Sequence, residues 1–152
     1  NVIKETANQI DWIFFGQYPQ NIRKYLAEYH DYVPLENYAE KLASLNLDLA
    51  VAPLDYNDFN ACKSNLKVLE YGILGYPVIA TDFGPYTNQE GCCKNFSITR
   101  VKNTQESWTN AILQHINDLE NTKKLGQQLQ QQVLNFGFIQ QHIDLWVNEW
   151  FS

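Results

Sequence analysis

Apolar residues along this chain fall into two kinds of run. The first kind is short, continuous and bounded by turn residues. Asp11-Trp-Ile-Phe-Phe-Gly16, Asp48-Leu-Ala-Val-Ala-Pro53 and Pro77-Val-Ile-Ala-Thr81 are of this type. Such runs predict strands buried on both faces, as in a parallel sheet, because an alternating pattern would leave one face to water. His30 to Val33 and Phe96 to Thr99 predict two further short strands, the latter at an edge.

The second kind of run has helical spacing. Pro19 to Ala27 places Ile22, Tyr25 and Leu26 on one side. Pro34 suits the start of a helix whose stripe is Leu35, Tyr38, Ala39 and Leu42. Leu66, Leu69 and Ile73 give a face that runs to Gly75, which reads as a C-cap before Tyr76-Pro77. Past residue 103 the pattern is helical throughout. Asn103 and Glu106 have capping-box spacing. Trp108, Ala111, Ile112, His115 and Leu119 form one stripe; Leu125, Leu129, Val133 and Phe136 form a second; Ile139, Ile143, Trp146 and Trp150 form a third. The glutamines at 127, 128 and 130–132 read as a solvated helix face.

The separation of the strands at 48–53 and 77–81 fits a βαβ crossover. The whole pattern predicts one α/β domain over residues 1–152, with a Rossmann-like parallel sheet, flanking helices and a helical tail. Any ligand then belongs at the C-terminal edges of the strands.

At 152 residues, with 45% apolar content and 14% aromatic, the chain can bury a real core and is not a disordered sequence. Eleven Lys and Arg against 17 Asp and Glu give a net charge of -6, which argues against a nucleic-acid binder. Binding of a single phosphate stays open, since a helix N-terminus needs no basic surface for it. Cys62, Cys92 and Cys93 have neither zinc nor redox-motif spacing, so no metal is expected. Their odd number argues for a reducing compartment, and with no signal-peptide pattern the expected location is cytoplasmic. A chain that begins at Asn1 and contains no Met reads as a piece of something longer.

Candidate chemistry concentrates in Phe59 to Glu70. This segment leaves a buried strand through a polar loop and enters a helix near Ser64 or Asn65. Its free N–H groups suit a phosphate or diphosphate, with Lys63 and Ser64 adding contacts. The blander reading makes Ser64 an N-cap and Lys63 a solvated lysine. Glu70 lies between Leu69 and Tyr71, and its carboxylate suits two vicinal hydroxyls of a ribose; the alternative is an i,i+3 pair with Lys67. Gly72 permits a close approach. Tyr86, beside Asp82, Gly84 and Pro85, could cover a base or sugar, or pack on its own turn. Asp55, Tyr56 and Asn57 are weaker candidates for sugar contacts. Of the histidines, His115 and His142 read as packed or boundary residues and His30 as a weak pocket candidate. No catalytic triad, HExxH, DxD or Walker loop occurs.

DLAVAPL, the loop DYNDFNACKSNLKVLEYGILG and YPVIATDFGPY, at residues 48–86, resemble the nucleotide-sugar-binding half of GT-B glycosyltransferases. The similarity is greatest to the retaining group-1 family, also called family 4. That family carries two glutamates separated by seven residues. The second, which holds the nucleotide ribose, maps onto Glu70. The first, which contacts the transferred sugar, maps onto Cys62, so this chain departs from the pattern there. The resemblance then implies that Asn60, Asn57 or backbone groups make the sugar contact. It places the distal donor phosphate at Ser64, Asn65 and Leu66, and the last aromatic helix, over Val133 to Trp146, against an N-terminal acceptor-binding domain missing from this chain.

The resemblance implies a domain that binds a nucleoside diphosphate sugar as substrate, with no cofactor and no metal, in an enzyme that moves the sugar to an acceptor hydroxyl. The fragment alone is expected to be inactive. Peripheral association of the full-length enzyme with a membrane stays open. The family's donor domain also opens with a strand, glycine-arginine loop and lysine that this chain lacks; its residues 1–10 correspond to the helix after that strand. The sheet must therefore close over a gap or expose an edge. The competing reading is a non-catalytic α/β module that binds another phosphorylated ligand or a protein partner.

Overall fold

The computed structural model describes residues 1–87, 93–136 and 143–151. The elements in order are α1 (Val2–Thr6), β1 (Ile13–Phe15), a 3-10 helix (Gln20–Tyr25), β2 (Glu28–His30), α2 (Leu35–Ser44), β3 (Ala50–Ala52), α3 (Asp58–Ala61), α4 (Leu66–Ile73), β4 (Val78–Thr81), a 3-10 turn (Gly84–Tyr86), β5 (Thr99–Val101), α5 (Gln105–Asn117), α6 (Leu119–Phe136) and α7 (Ile143–Phe151). The fold is α/β, with two short, wholly parallel sheets flanked by helices. One sheet pairs β1 with β2; the other has the order β3-β4-β5. Of the two expected outcomes, a sheet closed over a gap or an exposed edge, the second holds: among the described residues β1 and β3 do not pair, so both expose an edge.

The βαβ crossover is as the spacing predicts. Along β3 and β4, alternate side chains enter two cores on opposite faces. Ala50, Ala52, Val78 and Ala80 join Val68, Leu129 and Val133 on one face. Ile79 joins Val101, Trp108, Ala111 and Ile112 on the other, with Leu49 and Val51 packed against them. Gly75 takes φ +76° and ends α4. Its N–H donates to Gly72 O at 2.9 Å and that of Tyr76 to Tyr71 O at 3.0 Å, the paired bonds of a Schellman motif. Gly72 gives a close approach between helices: a Cβ there would lie 2.7 Å from Val133 Cγ2 of α6.

Several boundaries and faces differ from expectation. Pro19 to Ala27 forms a 3-10 helix, and β2 lies earlier than 30–33, where Tyr29 opposes Phe14. Leu35 and Ala39 are exposed, and Leu42 alone of the α2 stripe is buried. In α4 the buried residues are Val68 and Gly72, while Leu66 is 54% exposed.

The last strand starts at Thr99, not Phe96. The backbone before it turns instead of running on beside β4: Phe96 N–H bonds to Cys93 O at 3.0 Å and Ile98 N–H to Phe96 O at 2.9 Å. Ser97 N–H donates instead to Gln132 Oε1 at 2.7 Å. Thr104, not Asn103, caps α5: its Oγ1 accepts from Ser107 N–H at 3.2 Å. Leu119 opens α6 and is exposed.

The glutamine face is only partly solvated. Gln130 donates to Ile73 O and Gln132 to Asn95 O, each at 2.9 Å. In α7, Ile143, Val147 and Trp150 are exposed, so no partner packs on that stripe among the described residues. The expectations for Cys92, Ile139 and His142, and for the side chains of Phe136 and Trp146, lie outside the described residues. No helix among the described residues is long and apolar enough to cross a membrane.

Candidate functional site

One cluster of side chains joins the C-terminal end of β1 to α2 and α4. Phe15, the last residue of β1, stacks on Tyr38 of α2 with ring centroids 5.3 Å apart and 16° between planes. Tyr38 Oη donates to Glu70 Oε2 at 2.9 Å. Lys67 Nζ donates to the same Oε2 at 2.8 Å and to Tyr38 Oη at 2.7 Å. The ammonium is therefore held above its usual range by Glu70 and Tyr38, against the opposing effect of burial. Desolvation raises the Tyr38 hydroxyl. The i,i+3 pairing of Glu70 with Lys67 is present, yet it engages only Oε2. Oε1 makes no hydrogen bond to any described residue. The carboxylate is half-buried, with 21% of its side chain exposed.

Glu70 sits one turn inside α4, whose N-terminus follows the C-terminal end of β3. Val68 and Leu69 N–H groups bond to Asn65 O; those of Leu66 and Lys67 have no acceptor in the helix. Asn65 is the N-cap residue, but its side chain makes no capping bond, and it is buried. Its Nδ2 is a buried donor without an acceptor among the described residues. Cys62, Lys63 and Ser64 are exposed on the turn before the helix, with Lys63 Nζ 5.0 Å from the centre of the Phe59 ring. Ser64 is not the N-cap.

The other candidates are structural in their contacts. Asn60 is buried; its Nδ2 donates to Asp55 O and its N–H to Asn57 Oδ1, both at 2.9 Å. Asn57 is thereby the cap of α3. Asp55 Oδ1 accepts from Asn103 Nδ2 at 2.9 Å, and Tyr56 Oη accepts from Asn103 N–H at 2.8 Å. These bonds tie the exit of β3 to the turn after β5. Tyr86 is buried at 4% exposure, in the core cluster that includes Val68, Cys93 and Phe96. Its hydroxyl is pushed up by desolvation.

No family model matches this chain, and no curated protein matches it.

His30 lies in β2 opposite Phe15, with Nε2 3.1 Å from Glu28 Oε2. His115 is packed, as its stripe position implies. It sits between the hydroxyls of Thr99 and Thr122, 2.8 and 2.9 Å away, and burial lowers its pKa. The described residues bring no three metal-ligating side chains together. Sequence reasoning missed Tyr38 as a member of the Glu70 cluster. It appeared only as a core position of α2, and nothing local indicates that its hydroxyl reaches a helix 32 residues away. Arg100 was also missed: Nε donates to Tyr86 O at 2.7 Å and Nη2 to Cys93 O at 2.8 Å, which ties together the two ends of the segment after β4.

Proposed function

We propose that this chain is the donor-binding part of a GT-B glycosyltransferase of the retaining group-1 type, and that its crevice binds a nucleoside diphosphate sugar. One observation carries the reading: the two oxygens of Glu70 are used differently. Tyr38 and Lys67 fix Oε2, while Oε1 keeps its lone pairs for two vicinal hydroxyls, as on a ribose. Three donors stand one turn away, namely the N–H groups of Leu66 and Lys67 and the Asn65 amide. They suit the phosphates that a nucleoside carries.

In this role the chain binds and stabilises charge. As the bond from the sugar's anomeric carbon to the distal phosphate breaks, negative charge builds on the diphosphate. Fixed N–H dipoles at the start of α4, with Lys63 and Ser64 on the adjoining turn, favour that charge without reorganising. The acceptor hydroxyl and the residues that take its proton belong to the other half of the enzyme.

Titration of the protein with UDP, GDP and ADP by calorimetry tests the reading. One nucleotide binds, and Glu70→Gln weakens it at least ~10-fold, about 1.4 kcal/mol. Equal binding by wild type and Glu70→Gln refutes the assignment of Glu70 to the ribose. No binding of any nucleotide to the full-length protein refutes the donor reading itself.

A further inference from the structure

At the C-terminal end of β1 a cavity of about 570 Å³ opens beside the cluster that holds Glu70. Two strand exits form it. Phe15 and His30 stand opposite one another at the ends of β1 and β2, and Gly16 N–H donates to His30 O at 2.8 Å. Gly16-Gln17 and Asp31-Tyr32 therefore leave the sheet side by side. Gly16 takes φ +96°, a positive value that suits glycine and turns the chain at that point.

Tyr32 supplies a flat surface to the lining. One edge of its ring lies against Gly16, where a Cβ would sit 3.2 Å from Tyr32 Cε1. The ring is nonetheless 72% exposed, so it is held in place and open to a ligand. Asp31 is the carboxylate of the lining. It is exposed and makes no hydrogen bond or ion pair to any described residue. Gln17 and Gln20 add exposed amides. An aromatic platform beside a free carboxylate and amides fits a planar heterocycle read along its edges.

Position ties this lining to the crevice. Phe15, directly before Gly16, stacks on Tyr38, whose hydroxyl bonds to Glu70. A larger cavity of about 1120 Å³ reaches Tyr38 and Lys67 and is also lined by Gly16, Gln17 and Tyr32. The two cavities thus share a wall, and a ligand at Glu70 adjoins one at Tyr32.

The carboxylate makes the site selective. When ionised it only accepts hydrogen bonds, through two oxygens side by side. On its Watson–Crick edge guanine sets two donors side by side, N1–H and the N2 amine. Uracil, adenine and cytosine each set an acceptor next to their donor, and that acceptor would face a negative oxygen. Guanine O6 and N7 are acceptors, which suit the amides of Gln17 and Gln20.

We infer that Tyr32 and Asp31 read the base of the donor and that the base is guanine, so that the substrate is a guanosine diphosphate sugar. Tyr32 stacks on the ring and Asp31 accepts from N1–H and the N2 amine. The inference rests on the assignment of Glu70 to the ribose and names the base, which that assignment leaves open.

Calorimetric titration of the full-length protein with GDP, inosine diphosphate, UDP and ADP tests it. Inosine diphosphate differs from GDP only in lacking the N2 amine. GDP is expected to bind most tightly, ahead of inosine diphosphate by ~10-fold or more. Asp31→Ala is expected to bind GDP and inosine diphosphate alike, with an unchanged unfolding midpoint, since Asp31 holds no described residue. UDP or ADP as the tightest ligand overturns the inference; if Glu70→Gln still weakens that ligand, the ribose assignment stands without it. Equal binding of GDP and inosine diphosphate by the wild type, or a GDP preference that survives Asp31→Ala, overturns the role of Asp31. Binding of no nucleotide overturns this inference and the donor reading together.

Discussion

Among the described glycines, Gly126 leaves the least room for an added methyl group. It lies buried in α6, directly under the turn that ends α4. A Cβ there would sit inside contact distance of Gly75 O, 2.9 Å from Pro77 Cδ and 3.0 Å from Pro77 N. None of these atoms can rotate away. Gly75 O and Pro77 N are backbone in the Schellman turn, and the proline ring is fixed by its own φ. In an exposed helix Gly→Ala would stabilise by about 1 kcal/mol through propensity. Overpacking against backbone costs about 3 kcal/mol, the upper end of the usual range, because the helix itself must shift. The net expectation for Gly126→Ala is a loss of about 2 kcal/mol, or about 4–8 °C in Tm for a domain of this size. Gly72→Ala is the control. Its Cβ meets only the side chains of Val133 and Leu129, which can change rotamer, so its loss is smaller. Urea unfolding followed by tryptophan fluorescence reads both. A Gly126→Ala protein as stable as wild type, or more so, refutes the close α4–α6 packing from which the figure is derived.

Thr81→Val keeps shape but leaves the Leu54 N–H, now 2.8 Å from Thr81 Oγ1, buried and unpaired; a loss of about 1–3 kcal/mol is expected in the same unfolding assay. Arg100→Lys loses the fork that spans Tyr86 O and Cys93 O, and should cost about 2 kcal/mol; no change in the unfolding midpoint would count against the clamp. For His115 the folded pKa lies below the ordinary value near 6.5, so the unfolded chain takes up the proton first. Stability is therefore full above about pH 6.5, falls as pH drops through that value, and levels off below the folded pKa. His115→Gln should remove this component of the slope, measured as unfolding free energy from pH 8 to pH 5.

What the sequence made legible were the features set by local chemistry. The continuous apolar runs at 48–53 and 77–81 have no alternation, and burial on both faces is the physical cause. Gly75 before Tyr76-Pro77 marked a helix end because left-handed backbone favours glycine. Legibility failed where a distant partner decided the outcome. Phe96 to Thr99 looks like a strand, but its first half turns on itself and Ser97 N–H is taken by Gln132 of α6. Asn103 looks like a cap, yet its amide is drawn across to Asp55 and Trp108, which leaves capping to Thr104. The Glu70 site was half legible. The acid and its lysine are three residues apart, whereas the tyrosine that fixes one carboxylate oxygen comes from another helix.

The division into two sheets bears on how the protein comes apart. Both hydrophobic clusters centre on β3, β4 and β5 with α4, α5 and α6, while β1 and β2 contribute no residue to the buried set of either. Cooperativity follows shared burial, so the three-strand half forms one foldon and the β1–β2 half a second of lower stability. They are coupled through the Phe15–Tyr38–Glu70–Lys67 cluster and the packing of Val2, Ile10 and Trp12. Fraying of the first half takes the Phe15 ring off Tyr38, whose helix stays tied to the three-strand half by Tyr76 Oη on Leu42 O and Ala43 O. The Tyr38–Glu70 bond then loses its aromatic cover, and the stability of the weaker unit limits how well shielded the crevice can be.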